Sequence, residues 1–321
     1  MEDQNHCDLI SLAIEGISAK DGNNQYFTVF YTCIGFSLLT FTVSTISKNY
    51  SQVDKLWSIT PVIYAWIAVV DARTLLMAIV ATIWGIRLTW NFNRRGGYTW
   101  PKIWEGDEDY RWEYIQKGHF IGVLKNPIAW MIFNASFISF YQNFLLMFTA
   151  APSYVAWTMA TDPSCSMHAK PLNMFGLDGV ATIMVITFII IESIADNQQY
   201  AFQTEKYRQI ENGLERKGEF ADGFCQSGLF SVVRKPNYAS EQMIWISYYL
   251  YSIAASGKIM NWSMIGCVLL VLLFQSSGPF TEKITLQKYP VQYSKYQKKV
   301  GLYIPRVFGY KSDEMDEKKG L

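Results

Sequence analysis

Apolar residues occur in long runs separated by polar stretches. Two runs, 27–47 and 128–157, reach the roughly 20 residues that an α-helix needs to cross about 30 Å of hydrocarbon. Shorter runs of about 15 residues cross a bilayer when neighbouring helices cover their polar ends. The seven runs lie at 27–47, 56–70, 75–90, 128–157, 179–193, 241–255 and 264–277. The pattern predicts an all-α fold, a polytopic membrane helix bundle with about seven transmembrane spans.

The polar stretches divide the chain into parts. Residues 1–26 form a polar N-terminal segment, and 27–277 form the transmembrane bundle with two long inner-side loops at 91–126 and 195–240. Residues 278–321 form an inner-side C-terminal segment, whose last ~10 residues are a charged tail. The N-terminal segment has neither the basic start nor the apolar stretch of a secretory signal, so we expect insertion to depend on an internal helix.

The basic residues predict the orientation of the bundle. With the N-terminus outside and the C-terminus inside, 23 of the 28 Lys and Arg residues fall on the inner side and four on the outer side. Cytoplasmic loops of membrane proteins carry such an excess. Lys318-Lys319 near the end of the chain is typical of a retrieval signal on a cytosolic tail. The expected location is the endoplasmic reticulum, with the mitochondrial inner membrane as the alternative.

Composition narrows the classes of function. Charged residues make up only 17% of the chain and aromatic residues 16%, which is difficult to reconcile with a soluble surface. The net charge of +1 excludes the basic excess with which proteins hold nucleic acid. The five cysteines form no Cys-x-x-Cys pair and the three histidines are isolated, so we predict five free thiols and no metal site.

Polar blocks beside the apolar runs are the candidate sites. Pro236 opens the run 241–255, and a helix N-terminus preceded by Arg234 and Lys235 is suited to an anion such as phosphate. A basic flank at the inner membrane face explains the same residues equally well. Glu192 lies at the end of the run 179–193 and Asp196 just after it, and ionisable groups at such depth usually line a site.

Asp54, at the start of the run 56–70, has Tyr64 ten residues further on. A helix-capping role is the ordinary alternative for this aspartate. No nucleotide-binding fingerprint accompanies these blocks: Gly213 and Gly218 have P-loop spacing without the following Lys-Ser/Thr, and no G-x-G-x-x-G follows a strand pattern. Any nicotinamide cofactor would therefore be bound without a Rossmann domain.

Taken together, these blocks resemble the DUF1295 branch of the steroid 5-alpha-reductase family, whose relatives include sterol reductases and isoprenylcysteine carboxyl methyltransferases. The resemblance extends from about 51 to 305. Its most specific element is the family's Arg-His-Pro-Asn-Tyr and a following acidic residue, matched by Arg234-Lys235-Pro236-Asn237-Tyr238 and Glu241. Further matches are Asp54 with Trp57, Gly85, Arg87-Leu88, Arg94-Arg95, Glu108-Asp109-Tyr110-Arg111, Ala195-Asp196 with Gln198 and Phe202, Gly228-Leu229, Pro279, Glu282, Tyr293 and Tyr296.

The resemblance implies a reductase that takes NADPH from the inner side and reduces a carbon–carbon double bond of a steroid-like or other lipid. It implies that the cofactor is surrounded by Arg111, Asp196, Arg234, Lys235, Asn237, Tyr238 and Glu241. Lys235 stands where the family has His, which keeps a positive charge but loses a group that titrates near neutrality. This exchange puts a conserved catalytic role of that position in doubt.

The hypothesis for catalysis is that Asp54 and Tyr64 polarise the carbonyl of an enone-like lipid, because a carboxyl in an apolar site tends to stay protonated and can donate. Two alternatives remain open. One is a non-catalytic accessory subunit of a larger membrane complex that retains the reductase fold. The other is a methyltransferase that uses S-adenosylmethionine. In each reading the partners are membrane lipids, without nucleic acid.

Overall fold

The computed structural model describes residues 7–19, 24–118 and 121–306, and within these ranges the protein is helical without β-strands. Helices account for 73% of the structure. The sequence prediction of an all-helical fold is therefore confirmed. The tail pair Lys318-Lys319, together with Lys20, His6 and His119, lies outside the described residues.

The helices differ widely in length, from single turns to 35 residues. Their bounds are α1 Leu9–Ser18, α2 Gln25–Ser47, α3 Gln52–Leu56, α4 Thr60–Ile67, α5 Ala72–Asn93, α6 Tyr110–Gln116, α7 Pro127–Phe133, α8 Gln142–Thr149, α9 Ala151–Thr161, α10 Pro163–Ser166, α11 Leu177–Glu211, α12 Glu219–Asp222, α13 Pro236–Ser256, α14 Met264–Lys288 and α15 Pro290–Lys299. A π-helical segment, Asn134–Tyr141, joins α7 to α8, and single 3₁₀ turns lie at Gly122–Lys125 and Gly228–Ser231.

Within the described residues, five helices are long and apolar enough to cross a membrane. They are Gln25–Ser47, Ala72–Asn93, Pro127–Thr149, Leu177–Glu211 and Met264–Lys288. These helices are compatible with an integral membrane protein and coincide with five of the seven predicted runs. The run 56–70 instead contains α4, whose eight residues extend only about 12 Å. The run 241–255 lies in the 21-residue helix α13, whose first turns are polar. The count of seven spans stays a prediction.

The chain divides into two compact units. Unit 1 comprises Met1–Thr187 with Met243–Leu272, and unit 2 comprises Phe188–Gln242 with Leu273–Leu321.

Close backbone approaches and buried polar contacts hold the helices of unit 1 together. Gly85 lies so near the chain before α4 that an added Cβ would come within 2.6 Å of the carbonyl oxygen of Ser58. Ser44 and Thr40 of α2 are buried and hydrogen-bond to Asn134 and Asn143. Polar contacts of this kind connect neighbouring helices inside a membrane.

A disulfide joins Cys7 to Cys165 in unit 1, across 158 residues of sequence. The prediction that all five cysteines are free thiols is therefore wrong for these two. Sequence spacing gave no sign of the pair, because only the folding of α9 and α10 brings Cys165 near the start of α1, with Cα atoms 4.8 Å apart. Cys33, Cys225 and Cys267 are free and buried.

The core of unit 2 contains two groups of buried side chains. Ala195 and Phe202 of α11 pack with Cys225 and Phe230. The second group contains Phe224, Tyr293, Tyr296 and Val300. Because the C-terminal residues 293–300 belong to this core, the segment after α14 is an integral part of the unit.

Candidate functional site

Helix α13 begins at the motif that the sequence marked for anion binding. Pro236 occupies its first position, where a missing N–H has no intrahelical partner to lose. Lys235, Asn237 and Tyr238 are partly exposed around this helix start. The ammonium of Lys235 lies 5.4 Å from the centroid of the Tyr238 ring, a cation–π distance. A cationic side chain and a helix N-terminus are thus adjacent here.

Arg234, one residue before Lys235, is buried and bound within the protein. Its guanidinium makes two parallel contacts to the carboxylate of Glu282, at 2.5 and 2.9 Å. Further donors of the same group reach the carbonyl oxygens of Val300 and Gln297. Four acceptors of the chain thus surround the group that the resemblance assigned to the cofactor.

Glu282 is held in turn by two side chains of the C-terminal segment. The hydroxyl of Tyr293 and the amide of Gln297 each donate to this carboxylate at 2.8 Å. We call Arg234, Glu282, Tyr293 and Gln297 the arginine frame. Its hydrogen bonds fix the chain directly before α13, since the backbone N–H of Arg234 also donates to the carbonyl of Gly301 at 2.8 Å.

The turn that leads into the arginine frame is anchored to α11. The side-chain carbonyl of Gln198 accepts from the backbone N–H of Leu229 at 2.9 Å. Gly228 has a φ of +57°, and an added Cβ would lie 2.3 Å from the amide nitrogen of Gln198. Only glycine combines this left-handed backbone with so close an approach. The matched pair Gly228-Leu229 therefore has a structural explanation.

The two predicted carboxylates of unit 2 are both buried. Asp196 lies on α11 and is 3% exposed, and Glu241 lies in the second turn of α13 and is 4% exposed. Glu192, one turn before Asp196, is likewise 4% exposed. Carboxylates are rarely buried unless they are paired with another group.

In unit 1, the structure brings Asp54 and Arg111 into one group of charges. Trp112 donates its indole N–H to Asp54 at 3.1 Å, and Arg111 forms a two-point ion pair with Asp109. The backbone N–H of Asp109 donates to the hydroxyl of Ser51. We call Asp54, Lys55, Glu108, Asp109 and Arg111 the carboxylate cluster. Burial and the negative charge of Asp109 raise the pKa of Asp54, against the lowering effect of Arg111.

Lys55 is the residue of this cluster that sequence reasoning missed. It is 5% exposed, and its ammonium has no hydrogen-bond partner within the described ranges. Burial lowers the pKa of Lys55, while the charges of Asp54 and Glu108 oppose that shift. Its position directly after Asp54 could have indicated that it belongs to the site. Lysines are common at the inner membrane face, however, so the sequence did not distinguish this one.

Tyr64 belongs to a different part of unit 1 from Asp54. It is fully buried in α4 with Tyr26, Cys33 and Tyr154, and its backbone carbonyl accepts from the hydroxyl of Tyr154 at 2.8 Å. Asp54 instead lies beside Trp112, in a region whose core contains Tyr50, Val53 and Trp130. The structure therefore does not pair the two residues that the sequence suggested as a catalytic pair.

Residues 40–300 match the model of a protein family that is described as a protein of unknown function, DUF1295. The chain belongs to the DUF1295 family. All nine candidate residues of this DUF1295 chain lie within the matched segment. A relative from the fission yeast Schizosaccharomyces pombe (strain 972), the uncharacterized protein C594.04c, is 31% identical over 294 residues, which cover 87% of this chain and 79% of the relative. No solved structure matches the chain.

Proposed function

We propose that this DUF1295 protein is a membrane-embedded reductase with the steroid 5-alpha-reductase fold, which uses NADPH to saturate a carbon–carbon double bond of a steroid-like or other lipid. The observation that carries the proposal is the start of α13. There a buried, internally bound Arg234 fixes the backbone, while Lys235, Asn237 and Tyr238 remain accessible.

This donor set fits a nucleotide. Lys235 and the backbone N–H of Asn237 suit phosphate oxygens, whereas the N–H groups of Tyr238 and Ala239 are bound within the chain. Asn237 supplies both donors and acceptors, and the buried carboxylates Asp196 and Glu241 suit hydroxyl or amide donors. In this proposal Arg234 positions the helix start and does not touch the phosphate. Arg111 is proposed as a cofactor residue on the resemblance alone.

The reaction adds two hydrogens to the lipid double bond. Held by Lys235, Asn237 and Tyr238, NADPH would supply the hydride that one alkene carbon gains, and the other carbon would gain a proton. Asp54 is proposed to polarise the substrate, because a carboxyl with a raised pKa keeps a proton that it can donate in a hydrogen bond. Tyr64 is retained as the second candidate for this role.

We propose seven spans with the N-terminus outside, in the endoplasmic reticulum membrane. Contacts among the segments assigned to the outer side support their lying on one common side of the membrane. Lys258 donates to the carbonyl of Cys7 at 3.1 Å, and Arg73 donates to the carbonyl of Lys170 at 2.8 Å. The disulfide between Cys7 and Cys165 suits an oxidising compartment such as the reticulum lumen. The mitochondrial inner membrane is the alternative.

Ligand binding tests this proposal most directly. Purified protein in detergent is heated with NADPH, NADH, S-adenosylmethionine or buffer alone. A ligand that binds the folded state raises the unfolding temperature, and the shift grows with the logarithm of its concentration above Kd. We expect NADPH to give the largest shift, and a lipid-enone panel to show NADPH oxidation. Stabilisation by S-adenosylmethionine instead would favour the methyltransferase. Absence of nucleotide binding, with copurification in fixed stoichiometry with other membrane proteins, would favour the accessory subunit.

A further inference from the structure

Unit 1 contains an apolar cavity of about 190 Å³ that is separate from both candidate regions described above. Its wall is formed by α1, by the first turns of α2, by α8 and α9, and by Trp262. Ala13 and Ile14 line it from α1, Tyr26 and Phe30 from α2. Since α2 is one of the candidate membrane spans, membrane lipid is available at this wall.

The lining carries no charged side chain, and its hydrogen-bonding side-chain groups are the hydroxyls of Tyr26 and Tyr154 and the indole N–H of Trp262. The hydroxyl of Tyr154 donates to the backbone carbonyl of Tyr64 at 2.8 Å. The hydroxyl of Tyr26 is already engaged with Thr158, at 2.7 Å. The indole N–H of Trp262 is buried and has no hydrogen-bond partner in the part of the chain that the structure describes. A buried donor without a partner destabilises the fold, because its hydrogen bond to water has been lost and not replaced. A ligand with a hydrogen-bond acceptor at one end and an apolar body would satisfy it.

The volume of the cavity limits which part of a lipid can bind in it. Pockets for drug-sized ligands start at about 300 Å³, whereas a cavity of about 150 Å³ lined by aliphatic and aromatic side chains binds benzene. About 190 Å³ is therefore too small for a fused steroid nucleus and sufficient for a section of a linear chain. The exposed side chains of Ile10 and Ile14, 56% and 61% exposed, lie at its rim. A longer chain can continue across them.

The wall of the cavity that α1 forms is held in place by a disulfide. Helix α1 has ten residues and packs tightly on α2. A Cβ added at Gly16 would lie within 3 Å of side-chain atoms of Asn24 and Tyr26. The disulfide from Cys7 to Cys165 ties the chain just before α1 to the helices that follow α8. The tie keeps Ala13 and Ile14 over the cavity.

We propose that this cavity binds one ester-linked acyl chain of a membrane phospholipid beneath α1, with an ester carbonyl accepting from the indole N–H of Trp262. The proposal concerns a lipid site at the start of α2 and is independent of the proposed reductase activity. The disulfide limits exchange of the bound lipid by holding α1 in place.

Photolabelling in nanodiscs tests this site. The probe is a phosphatidylcholine with a diazirine in one acyl chain, and labelled peptides are located by mass spectrometry. We expect labelling of peptides that contain Ala13, Phe30 or Trp262 in the wild type. Ala13→Trp should abolish it by filling the cavity, whereas Glu15→Trp, an exposed position on the same helix, should leave it unchanged.

A second variant covers the case in which Ala13→Trp disturbs folding. Trp262→Phe keeps the ring and removes the N–H, and loss of one hydrogen bond should lower labelling about fivefold. Reduction, or Cys7→Ser with Cys165→Ser, should speed exchange of the probe. Competition by excess oleic acid but not by unlabelled phosphatidylcholine would overturn the phospholipid assignment. Labelling that neither Ala13→Trp nor Trp262→Phe changes would overturn the site.

Discussion

The arginine frame of unit 2 and the carboxylate cluster of unit 1 differ in how their charges are satisfied. In the frame, the guanidinium of Arg234 has four acceptors and the carboxylate of Glu282 receives further donors from Tyr293 and Gln297. In the cluster, carboxylates outnumber cations, and the ammonium of Lys55 has no hydrogen-bond partner among the described residues. The charged groups of the arginine frame are hydrogen-bonded within the protein, whereas the carboxylate cluster keeps one ammonium without such a bond in the described part of the chain.

An arginine of a sequence motif can therefore support the fold while its neighbours in the motif bind the ligand. A buried ion pair with every donor used supports a backbone, and its loss is felt in stability. A charged group without an internal partner is more costly to keep and is more often kept for a ligand. Substitutions in and around the two groups distinguish these roles.

Removing one partner of the frame should have the largest effect. Arg234→Met leaves Glu282 buried without its cation, and breaking a buried pair in this way costs about 3–5 kcal/mol of stability. Thermal or denaturant unfolding in detergent measures it. Lys102→Ala is the control, since Lys102 pairs with Glu105 on the surface, where such a pair contributes about 0–1 kcal/mol. Wild-type stability of Arg234→Met would show that Arg234 does not support the fold.

Gly228→Ala should weaken the frame from its leading turn. The left-handed backbone alone costs a residue with a Cβ about 1–2 kcal/mol. The contact with Gln198 adds a further loss of stability. Gly213→Ala separates the two causes, because Gly213 also has a positive φ, +63°, but has open space around the position of a Cβ. Equal losses of unfolding temperature in the two variants would refute the role given to the Gln198 contact.

Lys235→Ala should alter binding and leave the fold intact. A hydrogen bond to a charged group is worth about 1.5–3 kcal/mol, so NADPH affinity should fall about tenfold or more. The unfolding temperature without nucleotide should not change, since Lys235 is partly exposed. Lys217→Ala, at an 80% exposed side chain of the same unit, is the control. Titration of nucleotide fluorescence gives both affinities, and an unchanged value for Lys235→Ala would remove this residue from the site.

Asp54→Asn should change the pH dependence of stability in the carboxylate cluster. The native state holds the Asp54 proton more tightly than the unfolded chain, because the pKa of this carboxyl is raised. The contribution to stability is therefore present at low pH, and it is lost as pH rises from the ordinary aspartate range near 4 through the raised native pKa. Asn keeps an acceptor for Trp112 and does not titrate, so the unfolding temperature should fall less with pH. A steeper fall in the variant would contradict the raised pKa.

The sequence predicted those parts of the fold that depend on local pattern. Long apolar runs such as 27–47 and 264–277 became helices close to the expected positions, and the proline at 236 marked the start of α13 correctly. The break in the run 56–70 was not predicted, because α3 and α4 are separated at Trp57–Ile59 by residues that are themselves apolar or small. Hydropathy cannot locate such a break.

Contacts between distant residues could not be predicted from local pattern. Arg234 and Glu282 were both recognised as matches to the family, yet nothing in the sequence joined them across 48 positions. The disulfide from Cys7 to Cys165 was missed for the same reason. Lys55 was overlooked because a buried ammonium and a surface lysine are identical in sequence, and only packing distinguishes them.

The arginine frame also sets when the motif can form during synthesis. Its carbonyl acceptors belong to Gln297, Val300 and Gly301, more than sixty residues after Arg234. A nonsense mutation just before Gln297 would therefore leave all five candidate spans in place and still remove the carbonyl acceptors that hold Arg234 at the helix start. We expect such truncated products to insert into the membrane and then be degraded, so loss-of-function alleles should extend well beyond the last span.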